Sequence, residues 1–132
     1  MLLHIIENNL ADITLYRELL EEIDPSIQLL VSENGHQALE SLTNSSTESL
    51  PNGVLLDLNM PVMNGIEFLK VFREWNANLE IPVIILTSSE APIDIKKSYE
   101  NNCTAFFTKP FEAEETKELM ELIIDFLKIR SR

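Results

Sequence analysis

Cysteine, histidine, glycine and basic residues are all scarce in this chain of 132 residues, and each scarcity removes a class of function. The single Cys103 excludes a disulfide framework and a cysteine-based zinc site, and it suits a reducing compartment. With only His4 and His36, a histidine-rich metal centre is excluded as well. The three glycines, Gly35, Gly53 and Gly65, cannot write a Walker loop or a G-x-G-x-x-G dinucleotide fingerprint. Ten Lys and Arg against 22 Asp and Glu leave a net charge of -12, which disfavours nucleic-acid phosphate as a partner. No apolar run approaches the roughly 18 residues of a membrane span. The start, Met1-Leu2-Leu3-His4, also lacks the basic segment of a signal peptide. The expectation is a cytoplasmic protein that binds neither nucleic acid nor membrane.

What is present describes one soluble domain. Hydrophobic residues make up 45% and charged residues 24%, a globular balance. A chain of this mass buries about two-thirds of its unfolded surface, enough for one core without staples. Short apolar runs alternate with longer stretches of helical period. Strands are predicted at Leu2–Ile6, Ile27–Val31, Gly53–Leu58, Pro82–Thr87 and Thr104–Thr108. Helices are predicted at Leu10–Ile23, Glu33–Leu42, Ile66–Trp75, Ala91–Glu100 and Glu112–Ile129, with Phe68, Phe72 and Trp75 directed to the core. The polar stretch Thr43–Asn52 reads as a loop, as does Asn59–Gly65 with its Pro61 and Asn64-Gly65. Five strands alternating with five helices predict an α/β fold, a doubly wound five-stranded parallel sheet. Right-handed crossovers favour the flavodoxin-like order 2-1-3-4-5.

In such a sheet, ligands sit beyond the carboxyl ends of the strands. Strand 1 ends in Glu7 and Asn8, strand 3 in Asp57, strand 4 in Thr87-Ser88-Ser89 and strand 5 in Thr108-Lys109. Glu7 and Asp57 side by side repel, and one pKa rises unless a cation lies between them. Oxygen ligands without His or Cys point to Mg²⁺, which takes one or two carboxylates plus water and phosphate. Lys109 and the Thr87 hydroxyl could then hold a phosphoryl group, with Asp57 as nucleophile. Singly, each residue has a bland explanation: a turn cap, an ion pair, a satisfied strand end. Together on one rim they point to a site.

The chain resembles the receiver domain of two-component response regulators over essentially its whole length. The resemblance rests on Glu7-Asn8-Asn9, the run Leu56-Asp57-Leu58-Asn59-Met60-Pro61-Val62-Met63-Asn64-Gly65, Leu86-Thr87-Ser88 and Lys109-Pro110-Phe111. It implies a single receiver domain over 1–132 with no output domain. Asp57 would be the phosphoacceptor, taking its phosphoryl group from a sensor histidine kinase or a histidine phosphotransfer protein. Glu7, Asn8, Asp57 and the carbonyl of Asn59 would hold Mg²⁺. Thr87 and Lys109 would contact the phosphoryl group, Phe106 would follow the switch, and Lys109-Pro110 would be a cis peptide. Output would pass through a downstream protein not named by the sequence. Asn8 stands where the family usually has a second acid. That departure keeps open a degenerate receiver acting as an unphosphorylated docking module. A haloacid-dehalogenase-type hydrolase is disfavoured by Asn59 two residues after Asp57, and a flavodoxin by the missing phosphate loop after strand 1.

Overall fold

In the computed structural model, which describes residues 1–46, 49–75 and 80–131, five strands and five helices alternate along the chain. They are β1 (Leu2–Ile6), α1 (Leu10–Ile23), β2 (Gln28–Ser32), α2 (Gly35–Thr43), β3 (Gly53–Leu56), α3 (Gly65–Trp75), β4 (Val83–Thr87), α4 (Pro92–Glu100), β5 (Ala105–Thr108) and α5 (Ala113–Arg130). The sheet is parallel throughout, in the order β2-β1-β3-β4-β5. Predicted and observed boundaries differ by a residue or two. The loop predicted over Thr43–Asn52 includes residues 47–48, which lie outside the described residues, and Thr43 itself continues α2. No helix among the described residues is long and apolar enough to cross a membrane.

The sheet is covered on both faces, which is why β3 and β4 are apolar without alternation. One face carries Leu3, Ile5, Leu55, Ile84 and Leu86 against Tyr16 and Leu20 of α1 and Met120, Ile123, Ile124 and Leu127 of α5. The other carries Ile6, Val54, Leu56, Val83 and Ile85 against Ala38 and Leu42 of α2 and Phe68, Leu69 and Phe72 of α3. Trp75 corrects the expectation of a wholly buried aromatic stripe. It lies at the last turn of α3, tilted against the Phe72 ring at 5.9 Å, and remains 40% exposed. His4 is fully buried in β1, with its Nε2 2.8 Å from the Ser32 hydroxyl and no partner for Nδ1 among the described residues.

Register brings the functional ends into line. Ile6 pairs with Leu56, so Glu7 and Asp57 each stand one residue past the paired ends of β1 and β3. Thr87 pairs with Thr108, so Lys109 leaves β5 level with the end of β4. The chain then turns from Asp57 into α3 through a tight loop. Met63 N donates to Pro61 O at 2.7 Å, a three-residue turn that puts Val62 at φ 67, a strained position for a β-branched residue. Asn64 and Glu67 close a reciprocal cap at the start of α3.

Gly65 is needed here for closeness. A Cβ at this position would lie 2.6 Å from the Asp57 carbonyl oxygen and 2.7 Å from Leu58 Cα, both backbone atoms that cannot turn aside. Gly65→Ala is therefore expected to destabilise the protein by about 1–3 kcal/mol, the usual cost of overpacking. Urea denaturation checks it. A variant with an unchanged midpoint would mean that the backbone of the loop is free to withdraw.

Candidate functional site

Lys109 Nζ lies among three carboxylates. It donates to Asp12 Oδ2 at 2.7 Å, to Glu7 Oε1 at 2.9 Å and to Asp57 Oδ2 at 3.5 Å. An ammonium has three donors, and all are used. The Glu7 and Asp57 side chains are only 2% and 5% exposed, against 29% for Asp12. Each acid comes from a different element: Glu7 from the end of β1, Asp57 from the end of β3, and Asp12 from the first turn of α1.

Charge and burial set the protonation of this group. Burial pushes the Glu7 carboxyl up to about 8; the hydrogen bond and negative charge of Asp57 add to the rise, and Lys109 opposes it. Burial pulls Lys109 down, but hydrogen bonds to Asp12 and Glu7 and the charges of Asp57 and Glu7 outweigh it. The ammonium is held above its ordinary range and stays protonated. In the metal-free chain Glu7 thus holds a proton near neutral pH and shares a hydrogen bond with Asp57.

Around this centre lie the remaining strand-end groups. The Asp57 carboxylate accepts from Asn59 N at 3.3 Å. Asn59 Nδ2 reaches toward the Thr87 and Ser88 hydroxyls at 3.5 and 3.3 Å, tying the loop after β3 to the end of β4. Thr87 is fully buried. Phe106 pairs with Ile85 in β5 and packs, partly buried, against the α2–α3 side of the core. Asn8 is exposed.

Glu7, Asp57 and Lys109 are thus in contact, and Asn59 links Asp57 to Thr87. Asn8 makes none of these contacts, and Phe106 lies below the rim. One expectation is overturned. No cis peptide bond occurs among the described residues, and Lys109-Pro110 is trans. The trans form is the lower in energy by about 0.5–1 kcal/mol for an X–Pro bond. From it, with Lys109 N bonded to Thr87 O at 2.8 Å, the four-carbon stem already reaches the acids. Asp12 is the residue that strand-end reasoning missed. Its signal lies in helical period: Asn9 caps α1, and the third residue after a cap returns to the same end of the helix.

The chain is similar to known proteins. The family model of the response regulator receiver domain matches residues 3–121. The sensor histidine kinase CheAY of Helicobacter pylori (strain ATCC 700392 / 26695) is 31% identical over 109 residues, 83% of this chain but 13% of that protein. Among solved structures, the phosphorylated cyanobacterial phytochrome response regulator RcpA matches with a TM-score of 0.87 at 27% identity, covering 96% of this chain and 92% of that one. The Mn(2+)-bound form of the response regulator Rcp1 matches with a TM-score of 0.83 at 27% identity, covering 95% and 92%.

The protonated Glu7 carries a pH signature. An acid whose folded pKa lies above its unfolded value binds its proton more tightly when folded, so stability falls as pH rises from about 4.5 toward 8. Burial of His4, which pushes that imidazole down to about 4, removes stability instead as pH falls below 6.5. Between pH 6.5 and 8 the Glu7 effect stands alone of the two. The metal-free chain should lose stability toward pH 8, with a slope approaching about 1.4 kcal/mol per pH unit. Glu7→Gln should be nearly flat. Urea midpoints across this window decide the matter, and equal slopes for the two proteins would place the proton elsewhere.

Proposed function

The chain belongs to the response regulator receiver family of two-component signalling, and on that premise we propose that Asp57 accepts a phosphoryl group from the phosphohistidine of a kinase or phosphotransfer protein. In that step the P–N bond to imidazole breaks as an Asp57 oxygen bonds phosphorus, giving an acyl phosphate. The imidazole recovers a proton from solvent. The observation that supports this reading is the convergence of Lys109 on buried Glu7 and Asp57. A carboxylate is a weak nucleophile, so the protein contributes position and charge. Lys109 would offset negative charge on the transferring group, and the Thr87 hydroxyl, 3.5 Å from Asn59 Nδ2, would offer a hydrogen bond to one of its oxygens.

The donor set suits a divalent cation. Glu7 and Asp57 offer carboxylates, Asn8 an amide oxygen and Asn59 a backbone carbonyl, an oxygen-only set of the kind Mg²⁺ takes. The raised Glu7 pKa is itself the mark of two buried acids with too little positive charge between them. Mg²⁺, when bound, would neutralise charge on the phosphoryl oxygens. The Mn(2+)-bound form of Rcp1 supports the metal class.

Two surfaces fit the partners. Leu10, Val62 and Phe111 follow the ends of β1, β3 and β5 and are 75%, 81% and 104% exposed, an apolar rim about the acids on which a donor protein can seat. On the other side of Thr87 and Phe106, α4 buries only Ser98, while Ile93, Tyr99, Leu122 and Ile129 are exposed on α4 and α5. An anchor this slight leaves α4 free to shift, and phosphate contacts can select between two packings. The downstream protein would dock there. The degenerate-receiver alternative draws on Asn8 alone.

Beryllofluoride or acetyl phosphate with Mg²⁺ tests the assignment. Wild-type amide shifts should change at the site and through α4, β5 and α5, whereas Asp57→Asn should show neither. Equal responses in the two proteins would reassign the acceptor, and a silent wild type would favour the docking module. Asn8→Asp adds a third carboxylate beside the metal set. At an effective dielectric near 20, less acid–acid repulsion, it should gain roughly 1–3 kcal/mol, or about 5- to 150-fold, in Mg²⁺ affinity. Titrating Mg²⁺ against phosphorylation rate compares the midpoints, and identical values would show that Asn8 does not face the metal.

A further inference from the structure

We propose that Asp12 is a positioning residue for the phosphoryl-transfer site: it holds the Lys109 ammonium toward α1 in the unphosphorylated chain and competes with the Asp57 phosphoryl group for it. The inference rests on the receiver reading above, but Asp12 lies outside the strand ends that carry that reading.

The distances show where Lys109 is held. Its shortest bond, 2.7 Å, is to Asp12, and its longest, 3.5 Å, is to Asp57, the residue it would have to serve. Asp12 is also the most exposed of the three acids, so its charge costs least to maintain. Helix capping does not account for its orientation. Three helices begin with an asparagine cap: Asn9, Asn34 and Asn64 accept from the backbone N–H of Asp12, Gln37 and Glu67. At α3 the Glu67 carboxylate returns the bond to Asn64 N at 3.1 Å, and at α2 the Gln37 amide turns back to Glu33 N at 3.0 Å. At α1 the Asp12 carboxylate goes to Lys109 instead. The third residue of α1 is directed across the site, 97 positions along the chain.

The consequence is a competition. A phosphoryl group on Asp57 brings more negative charge than the carboxylate it modifies, and Lys109 shifts toward it as the Asp12 bond lengthens. Removing the Asp12 charge removes the competitor. Glu7 remains beside Lys109 in both states, so the ammonium does not lose its burial partner.

The test uses the full chain with Asp12→Asn and the charge-retaining Asp12→Glu. Without metal or phosphodonor, nitrogen-15 NMR of the Lys109 ammonium reads the hold directly: its resonance should move in Asp12→Asn and stay near wild type in Asp12→Glu. At saturating Mg²⁺, the beryllofluoride midpoint of Asp12→Asn should fall, and phosphorylation by acetyl phosphate should quicken, each by about 2- to 5-fold, the scale of one partly exposed ion pair. Asp12→Glu should restore wild-type values. Thermal unfolding and the metal-free amide spectrum establish that each variant is folded, and Asp12→Ser replaces Asp12→Asn if it is not. A folded Asp12→Asn with an unmoved ammonium signal, or with unchanged or weaker beryllofluoride binding, overturns the proposal. A wild type that binds no beryllofluoride overturns the phosphoacceptor reading as well, while the ammonium signal still reports separately on the Asp12 hold.

Discussion

The structure turns on a single ammonium group set among three carboxylates. Glu7 and Asp57 are almost wholly buried at the adjoining ends of two strands, where an unpaired charge would cost several kcal/mol. Among the described residues Lys109 supplies the positive charge that reaches both, and Asp12 shares it. One ammonium against three acids leaves negative charge in excess. The metal-free chain meets that excess by keeping a proton on Glu7. The same excess is what the proposed divalent cation would offset.

The scaffold exists to bring these groups into line. The order β2-β1-β3-β4-β5 makes β1 and β3 neighbours, which sets Glu7 beside Asp57, and makes β4 and β5 neighbours, which sets Thr87 beside the root of Lys109. A slip of one residue in either register would turn every side chain of a strand to its other face. The two packed faces resist that slip, since both are buried. Gly65 lets α3 start against the backbone of Asp57 and Leu58, and the strained turn at Val62 directs the intervening loop outward. Strain of this kind costs of order 1–3 kcal/mol and persists where the surroundings fix it.

Stability is unevenly distributed. The cores below the sheet are filled by Phe68, Phe72, Met120 and large aliphatic residues with almost no exposure. α4, by contrast, buries only Ser98 and begins at Pro92 without a side-chain cap. It buries fewer residues than any of the other four helices, and it lies beside β5, where Phe106 packs, partly buried, against the core. Elements with few buried apolar contacts open or shift at low cost.

Much of this was written in the order of residues. Apolar runs of four to six, separated by helical periods, determined five strands and five helices. The spacing of Asp57, Pro61 and Gly65, with Thr87 and Lys109-Pro110 at later strand ends, marked the site because strand ends are fixed points in a parallel sheet. What tertiary structure decided lies in side-chain reach, which spacing does not encode. Asp12 joins Lys109 because the first turn of α1 overhangs the rim, a fact of helix placement invisible to strand-end reasoning. Lys109-Pro110 is trans, and from that form the lysine stem reaches the acids. Trp75 continues the Phe68–Phe72 stripe in sequence, yet the last turn of α3 runs beyond the sheet that covers the stripe, and the ring stays half in solvent. Local pattern determined which elements form and where their ends meet; only the packed chain settled which charge each end group faces, because that depends on distances of a few ångströms between residues far apart in sequence.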